Sequence, residues 1–300
     1  MEPNWLIRSG KRGFPVVPLS SKIFLPDGWL AAYEKQPFLV THNLSGTERF
    51  SGSALEQLAY RLPPEQIELN AGDVPVSLPP GQAADPRTTA AEYLADMESH
   101  RVWVGLLRLK DDPEYGPMLA ELLNPIGEML LQIDPGMSRL NGFIFVTSPR
   151  SVVPYHMDPE HNFLLQITGK KQFVIFDKED SELVNDELME WFYTQQNRRL
   201  TLPNSLAGRG RVINLEPGQG LHVPICAPHF VRTLDDVSVS LSITYATPKW
   251  NHRELVYRFN RGMRRIGLQP QSPGGRWDFL KGDSVTTWKR FKRTLPGREV

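Results

Sequence analysis

Cysteine and long uncharged stretches are both scarce in this 300-residue chain. The single cysteine, Cys226, excludes an internal disulfide and a cysteine-rich zinc module. The longest stretch without a charged residue, 217–231, is interrupted by prolines, so the sequence predicts no membrane-spanning helix. The first ten residues lack the long apolar core of a secretory signal. We therefore expect a cytoplasmic protein.

The chain also lacks a net charge, because 34 Lys and Arg residues balance 34 Asp and Glu residues. This balance argues against a protein that coats nucleic acid through overall positive charge. A hydrophobic content of 40% and a charged content of 23% are typical of a globular protein and exclude a disordered chain. The charge is unevenly distributed, since residues 251–300 contain 12 basic and 4 acidic residues, against 22 and 30 in residues 1–250.

Short segments in which apolar and polar residues alternate dominate the second half of the chain. They lie, separated by turn sequences, at 142–147, 163–168, 172–176, 211–215, 220–224 and 237–246. Helical periodicity, with an interruption expected at Pro125, occurs instead at 53–62, 89–97, 114–131, 181–193, 251–266 and 284–293. Residues 74–87 are rich in Pro and predict a loop. The pattern predicts a mainly β protein with flanking helices (α+β), built on an antiparallel sandwich or barrel such as a double-stranded β-helix.

His156 and Asp158 lie two residues apart in a segment of extended character. Side chains at this spacing project from the same face of a strand. With a distant second histidine they would complete the two-histidine, one-carboxylate triad of non-haem Fe(II) oxygenases. A lone His-x-Asp pair is far more often a surface or turn feature, so the hypothesis depends on that second histidine. The candidates are His222 and His229, both within 216–231.

Two blocks of residues, about 70 residues apart, strengthen this hypothesis. In the first block, 154–176, the His-x-Asp pair is followed by Asn162, Phe163, Gln166, Ile167, Gly169 and Lys171. The second block comprises Pro217, Gly218, Leu221, Pro224 and His229. In order and spacing the two blocks strongly resemble the iron-binding core of JmjC oxygenases. The resemblance is closest to the cupin-like branch that contains the asparaginyl hydroxylase of hypoxia-inducible factor, and it covers roughly residues 15–250.

The resemblance implies a jelly-roll (double-stranded β-helix, cupin-like) enzyme that uses Fe(II), 2-oxoglutarate and O2 to hydroxylate a C–H bond, with release of succinate. The metal ligands that it implies are His156, Asp158 and His229. Lys171 would bind the far carboxylate of 2-oxoglutarate, because a buried carboxylate needs a buried cation. The adjacent Lys170 would then face solvent. Asn162 and Thr244 would line the co-substrate pocket.

Two positions, Val153 and His222, depart from the family pattern, and the role of a third residue, His161, is not given by it. Relatives commonly have Thr at the position of Val153, which cannot donate a hydrogen bond. Either another group, such as Tyr155, assists Lys171, or the affinity for 2-oxoglutarate is weaker. His222 stands where relatives usually have Tyr or Phe, and it either lines the pocket or is a structural hydrogen-bonding side chain. We expect His161 to be exposed, or to lie near the ligands without binding the metal.

Residues 1–250 are expected to form the oxygenase domain, with the β-helix core at about 138–248, and residues 251–300 a basic helical extension. The buried face of this extension is predicted to contain Leu255, Phe259, Met263 and Ile266. It would pack on the barrel or on a second subunit, which makes it a candidate dimerisation element. Nucleic-acid binding is disfavoured because Gly and Pro interrupt the basic and aromatic residues.

The substrate class stays open between a protein side chain and a small metabolite. An alternative function is a non-catalytic cupin-like binding or regulatory protein that keeps the metal site. Val153 favours this alternative, whereas the complete set of ligands together with Lys171 favours catalysis.

Overall fold

The computed structural model describes residues 20–71, 90–99, 101–195 and 198–294, so the loop predicted at 74–87 lies outside the described residues. The strands are β1 (Ile23–Phe24), β2 (Phe38–His42), β3 (Ile67–Ala71), β4 (Val102–Leu106), β5 (Ser138–Thr147), β6 (Val152–His156), β7 (His161–Thr168), β8 (Lys171–Ile175), β9 (Arg211–Leu215), β10 (Gln219–Val223), β11 (His229–Thr233) and β12 (Ser238–Ala246). The helices are α1 (Trp29–Ala32), α2 (Gly52–Arg61), α3 (Ala90–Ala95), α4 (Tyr115–Leu130), α5 (Asp186–Thr194), α6 (Pro248–Arg265) and α7 (Asp278–Thr294).

The strands form two antiparallel sheets. The larger sheet has the order β1-β2-β10-β7-β12-β5-β4-β3, and the smaller has the order β6-β11-β8-β9. The chain passes from β7 of the larger sheet into β8 of the smaller one through Gly169, whose φ is 66°. A Cβ at this position would collide with the carbonyl oxygen of Val237, so the turn requires glycine. The predicted fold class, mainly β with flanking helices, is confirmed.

The predicted elements are present with shifted ends. The six predicted strands are observed as β5, β7, β8, β9, β10 and β12. The helix predicted at 181–193 begins only at Asp186, because the Asn185 side chain caps it by accepting a hydrogen bond from the Leu188 N–H at 2.9 Å. The interruption predicted at Pro125 is wrong, since α4 is continuous. Pro125 is exposed, so water can satisfy the backbone carbonyl that loses its helical partner.

The main core lies between the larger sheet and the helices α2 to α4. One side of α4 buries residues at spacings of three and four, namely Tyr115, Met118, Leu119, Leu122, Leu123, Ile126 and Leu130. These side chains pack against strand residues such as Ile144 and Val146 of β5 and Leu241 and Ile243 of β12. The opposite faces of β5 and β12 are thereby left to face the smaller sheet.

The helix α6 packs against α5 and the adjoining core with a different face from the predicted one, and α7 packs on α6. Ile266 is 70% exposed, whereas α6 buries Trp250, Val256 and Tyr257. The face is set by α5, because the Tyr257 ring stacks on Tyr193 with ring centroids 5.6 Å apart. The predicted domain boundary at residue 250 stays a prediction. None of the helices in the described ranges combines the length and the apolar character needed to cross a bilayer.

Candidate metal centre and adjoining cavity

Strands β6 and β11 bring two of the predicted ligands together. His156 and His229 are direct partners in the antiparallel register, and their ring centroids lie 4.2 Å apart. Asp158 follows two residues after His156, just beyond the end of β6. Its Oδ2 lies 3.9 Å from Nε2 of His156 and 4.0 Å from Nε2 of His229. We refer to His156, Asp158 and His229 as the triad.

The backbone fixes the tautomer of both histidines. Nδ1 of His156 lies 2.7 Å from the carbonyl oxygen of Pro154, and Nδ1 of His229 lies 3.0 Å from that of Ala227. Because a carbonyl oxygen only accepts hydrogen bonds, each Nδ1 must carry the proton and donate it. Each Nε2 therefore presents a lone pair toward Asp158, which is the arrangement that metal-binding histidines adopt.

The charge state of the triad also suits a cation. Arg198 donates a hydrogen bond of 2.8 Å from Nη1 to Oδ1 of Asp158, which leaves Oδ2 directed at the histidines. Burial opposes ionisation of Asp158, but His156 and Arg198 outweigh it and lower the pKa of this carboxyl to about 2. Burial, together with the neighbouring His156, lowers the pKa of His229 to about 4. At neutral pH the triad thus offers an ionised carboxylate and a neutral imidazole at His229.

The donor set fits a divalent transition metal. The ligand atoms of the triad all lie within 4.8 Å of one another. An ion with ligand bonds of about 2.0–2.2 Å holds its donors roughly 3–3.5 Å apart, so closure requires movements of less than about 1 Å. Two imidazoles and one carboxylate on one side leave coordination positions open on the other, as in non-haem iron oxygenases.

A cavity of about 330 Å³ between the two sheets adjoins the triad, and we call it the central cavity. The smaller sheet contributes Val153, His156, Lys171, Phe173, His229 and Val231 to its wall. The larger sheet contributes Glu68, Trp103, Phe143, Phe145, Asn162, Leu164, Ser242 and Thr244. Asp158, Arg198 and Arg199 lie on connecting segments. A cavity of this volume accommodates a small dicarboxylate together with part of a substrate.

Lys171 is buried at one side of the central cavity. Its Nζ donates a hydrogen bond of 2.8 Å to the Ser240 hydroxyl, and no carboxylate among the described residues forms an ion pair with it. Burial lowers the pKa of Lys171 to about 7. The adjacent Lys170 points outward, where it pairs with Glu216 at 2.6 Å. The two lysines therefore occupy opposite faces of the segment, as the sequence predicts.

The remaining predicted pocket residues divide into two groups. Asn162 and Thr244 line the central cavity, and Oδ1 of Asn162 accepts a hydrogen bond of 2.8 Å from Ser242. Tyr155 does not line it, which corrects the prediction that this hydroxyl assists Lys171. Its side chain lies on the other side of β6, where it packs against Phe176 and borders a separate cavity of about 360 Å³. Neighbouring residues of a strand face opposite ways, so Tyr155 and His156 cannot share a cavity.

Three further residues of the site were missed by sequence reasoning. Ser240, rather than Tyr155, contacts Lys171, and the alternating polar residues of β12 were the signal that could have found it. Trp103 lines the central cavity, and its indole N–H has no hydrogen-bond partner among the described residues. Arg198 contacts Asp158 across 40 residues of sequence, and nothing in its local sequence indicates this contact.

His161 and His222 do not line the central cavity. Both are completely buried, which contradicts the expected exposure of His161. The His222 ring stacks on Phe38 at 4.6 Å, and neither of its ring nitrogens has a hydrogen-bond partner in the described part of the chain. It therefore fulfils neither of the two predicted roles, pocket wall or hydrogen-bonding side chain.

Comparison with known proteins gives one family and one recurring fold. Residues 83–249, more than half of the chain, match the family described as the cupin-like domain. No curated protein sequence matches the chain. A structure of YcfD from Escherichia coli is similar with a TM-score of 0.54 at 17% identity, covering 93% of this chain and 70% of that chain. Another, described as the Escherichia coli ribosomal oxygenase YcfD, gives 0.50 at 15% identity and covers 93% and 69%. At these identities the likeness establishes the fold, a jelly-roll core with flanking helices.

Proposed function

The chain belongs to the cupin-like domain family, and from this premise we propose that it is an Fe(II)- and 2-oxoglutarate-dependent oxygenase. The substrate would be a C–H bond of a protein side chain or of a small metabolite. The observation that carries the proposal is the central cavity, whose wall contains both the triad and the buried amino group of Lys171. A 2-oxo dicarboxylate could bind the metal with its 2-oxo acid end and Lys171 with its other carboxylate.

The triad would hold the iron, and the surrounding residues would keep its donors in place. The backbone carbonyls that accept from Nδ1 of His156 and His229 keep each Nε2 directed at the ion. Arg198 binds one oxygen of Asp158, so the other oxygen stays available. The iron and 2-oxoglutarate would supply the oxidative chemistry, in which O2 converts 2-oxoglutarate to succinate and CO2 and hydroxylates the substrate.

The position of Lys171 matches the length of the co-substrate. In the register of β8 and β11, His229 lies opposite Ile175 and Lys171 lies opposite Thr233, four residues along the sheet. Four residues of strand span about 13 Å, which the lysine side chain and a five-carbon dicarboxylate fill together. Aromatic and aliphatic side chains such as Phe143, Phe145 and Leu164 cover the space between and exclude water from the reaction.

The proposal is tested by incubating the purified chain with Fe(II), ascorbate, O2 and 2-oxoglutarate and measuring succinate. We expect succinate to form, to stop forming when a chelator removes the iron, and to form again when Fe(II) but not Mg²⁺ is restored. Anaerobic calorimetry would measure binding of 2-oxoglutarate to the metal-loaded protein. Binding without succinate, in the presence of peptide and metabolite mixtures, would instead support the non-catalytic alternative.

We also propose that residues 251–300 form a homodimer interface. Apolar side chains stay exposed in the segment between α6 and α7 and at the start of α7, namely Ile266, Leu268, Trp277, Phe279 and Leu280. Exposed apolar residues concentrated in one region are typical of interaction surfaces. We propose that a second copy of the chain covers this surface, because the same apolar side chains on the two copies could then bury one another.

The dimer is expected to dissociate when charges enter this apolar surface. Light scattering should give twice the chain mass for the unaltered protein and the single-chain mass for the variant Phe279→Asp/Leu280→Asp. Both residues are more than half exposed, so the substitutions should leave the fold intact. Leu131→Asp, at a similarly exposed leucine after α4, is the matched control and should stay dimeric. A single-chain mass for the unaltered protein would contradict the proposal.

A further inference from the structure

A second cluster of metal-binding side chains lies outside the central cavity. It consists of Glu34 after α1, Asp134 after α4 and His161 at the start of β7. One ligand atom of each residue lies within 4.8 Å of the others, as in the triad. His161 is fully buried and Asp134 is 3% exposed. Residues this far apart in sequence therefore converge on one interior point.

The imidazole of His161 has no hydrogen-bond partner among the described residues. Both of its ring nitrogens are buried, and the nearest carboxylate oxygen, Oδ2 of Asp134, lies 4.0 Å from Nε2. This distance is too long for a hydrogen bond. Leaving a buried polar atom without a partner costs on the order of 1–3 kcal/mol, so native structures rarely do it without compensation. An ion between Nε2 and the two carboxylates would give this imidazole nitrogen the partner that it lacks.

Burial shifts the pKa values of His161 and Asp134 in opposite directions. Burial lowers the pKa of His161 well below its ordinary value, so its imidazole is neutral and one ring nitrogen has a lone pair free to bind a metal ion. Burial raises the pKa of Asp134, and repulsion from the Glu34 carboxylate adds to the rise, which a cation bound between the two carboxylates would oppose. The indole N–H of Trp250 donates to Oε1 of Glu34 at 3.0 Å and holds that carboxylate in place. Oε2 of Glu34 pairs with Lys249, whose half-exposed side chain can turn to solvent when an ion binds.

We propose that Glu34, Asp134 and His161 form a second binding site for a divalent transition metal ion such as Zn²⁺. One nitrogen and two carboxylate donors suit zinc, manganese or iron, whereas calcium and magnesium prefer oxygen ligands alone. The site is separate from the triad, because His161 and the cavity-lining Asn162 are neighbours in β7 and face opposite ways. The rings of Tyr33 and Tyr245 stack on His161 at 4.7 and 5.3 Å and enclose it.

The role of this second site is structural. An ion there would join the segment after α1 to the end of α4 and to β7, elements that are 100 and 27 residues apart along the chain. Bound metal stabilises a folded protein by the free energy of binding, because the unfolded chain has no preformed site. The helix α1 has only four residues, and an ion would add to the anchoring that its buried Trp29 and Ala32 provide.

The test measures zinc in the full chain with the triad disabled. In the background His156→Ala, we expect one zinc per chain by mass spectrometry after zinc loading and desalting, and a rise in Tm on zinc addition. Adding Glu34→Gln should remove both the ion and the rise in Tm, because an amide oxygen is a weak ligand. Glu254→Gln, at a partly buried carboxylate outside the cluster, is the matched control and should keep both.

The outcomes are separable from those of the proposed oxygenase activity, since the background lacks the triad. No zinc in the His156→Ala background would overturn the second site, and so would zinc retention in the variant with Glu34→Gln. Glu34 is only partly buried, so its amide variant should fold, which circular dichroism checks. His161→Gln provides an independent variant and should also lose the ion.

Discussion

Replacement of His156 or Asp158 by alanine is expected to abolish succinate formation and to weaken iron binding by more than about 100-fold. Loss of residues that merely orient a metal ligand costs 10–100-fold, so loss of a ligand itself should cost more. Asp158→Ala should have the larger effect on iron affinity. It removes the triad's carboxylate and leaves the guanidinium of Arg198, which then lacks its 2.8 Å hydrogen bond to Asp158, close to the ion. Equilibrium dialysis with Fe(II) and a succinate assay measure the two effects.

His222→Phe is the matched control for this prediction. His222 lies in the same sequence block as His229 and is equally buried, but it stacks on Phe38 on the far side of the sheet from the cavity. A phenyl ring keeps this stacking, so iron binding and succinate formation should stay within about threefold of the unaltered protein. Turnover that survives in His156→Ala and Asp158→Ala, or that disappears in His222→Phe, would contradict the assignment of the ligands.

The strands were predictable where alternation is long and turns are clear. The Ser-Val-Ser-Leu-Ser-Ile-Thr run of β12 alternates because one face joins the core and the other faces the cavity. No such signal marks β11. Its five residues, His229–Thr233, follow Pro228, and all but one of them are buried. Apolar residues occupy both faces of β11, since Val231 lines the central cavity and Phe230 packs on the other side, so periodicity does not detect this strand.

The buried face of α6 could not be predicted from the helix alone. Its sequence contains two apolar stripes, one through Leu255 and Phe259 and the other through Trp250 and Tyr257. The choice between them is made by Tyr193 of α5 and by Glu190, whose carboxylate accepts from Arg264. These partners lie more than 60 residues earlier in the chain, so the packing depends on tertiary contacts that no local pattern contains.

The site residues likewise divide into those that a local sequence pattern places and those that only tertiary packing brings together. The spacing of His156 and Asp158 places them together on any extended backbone. Tyr155, the residue before His156, faces the other side of β6 by the same alternation. The prediction that its hydroxyl replaces the one missing at Val153 did not take this alternation into account. The contact between Lys171 and Ser240 joins two sheets, and only their packing reveals it.

Replacement of Lys171 by methionine is expected to raise the KM for 2-oxoglutarate by more than about 100-fold. Removing one partner of a buried ion pair leaves the other charge unpaired and costs about 3–5 kcal/mol. Lys170→Met is the matched control, because Lys170 is the adjacent residue and half exposed, and it pairs with an exposed Glu216. That variant should keep its KM within about threefold. Steady-state succinate assays over a range of 2-oxoglutarate concentrations measure both values.

The same substitution should stabilise the protein in the absence of co-substrate. Burial holds the pKa of Lys171 at about 7, below its ordinary value of 10.5, so the folded chain binds fewer protons than the unfolded chain between these values. Stability of the unaltered protein therefore rises with pH through this window and is lowest, with respect to this group, below pH 7. Lys171→Met should raise Tm most at and below pH 7, and its advantage should shrink toward pH 10.

The depressed pKa also gives 2-oxoglutarate binding a pH dependence with a defined sign. The far carboxylate pairs with the protonated lysine, so above pH 7 binding must take up a proton, and affinity should fall by about tenfold per pH unit. Asp158 and His229, with pKa values of about 2 and 4, do not titrate in this range. Calorimetry of the metal-loaded protein between pH 8 and 9 should show this fall. A pH-independent affinity, or a Lys171→Met variant that binds 2-oxoglutarate normally, would place the carboxylate elsewhere than at Lys171.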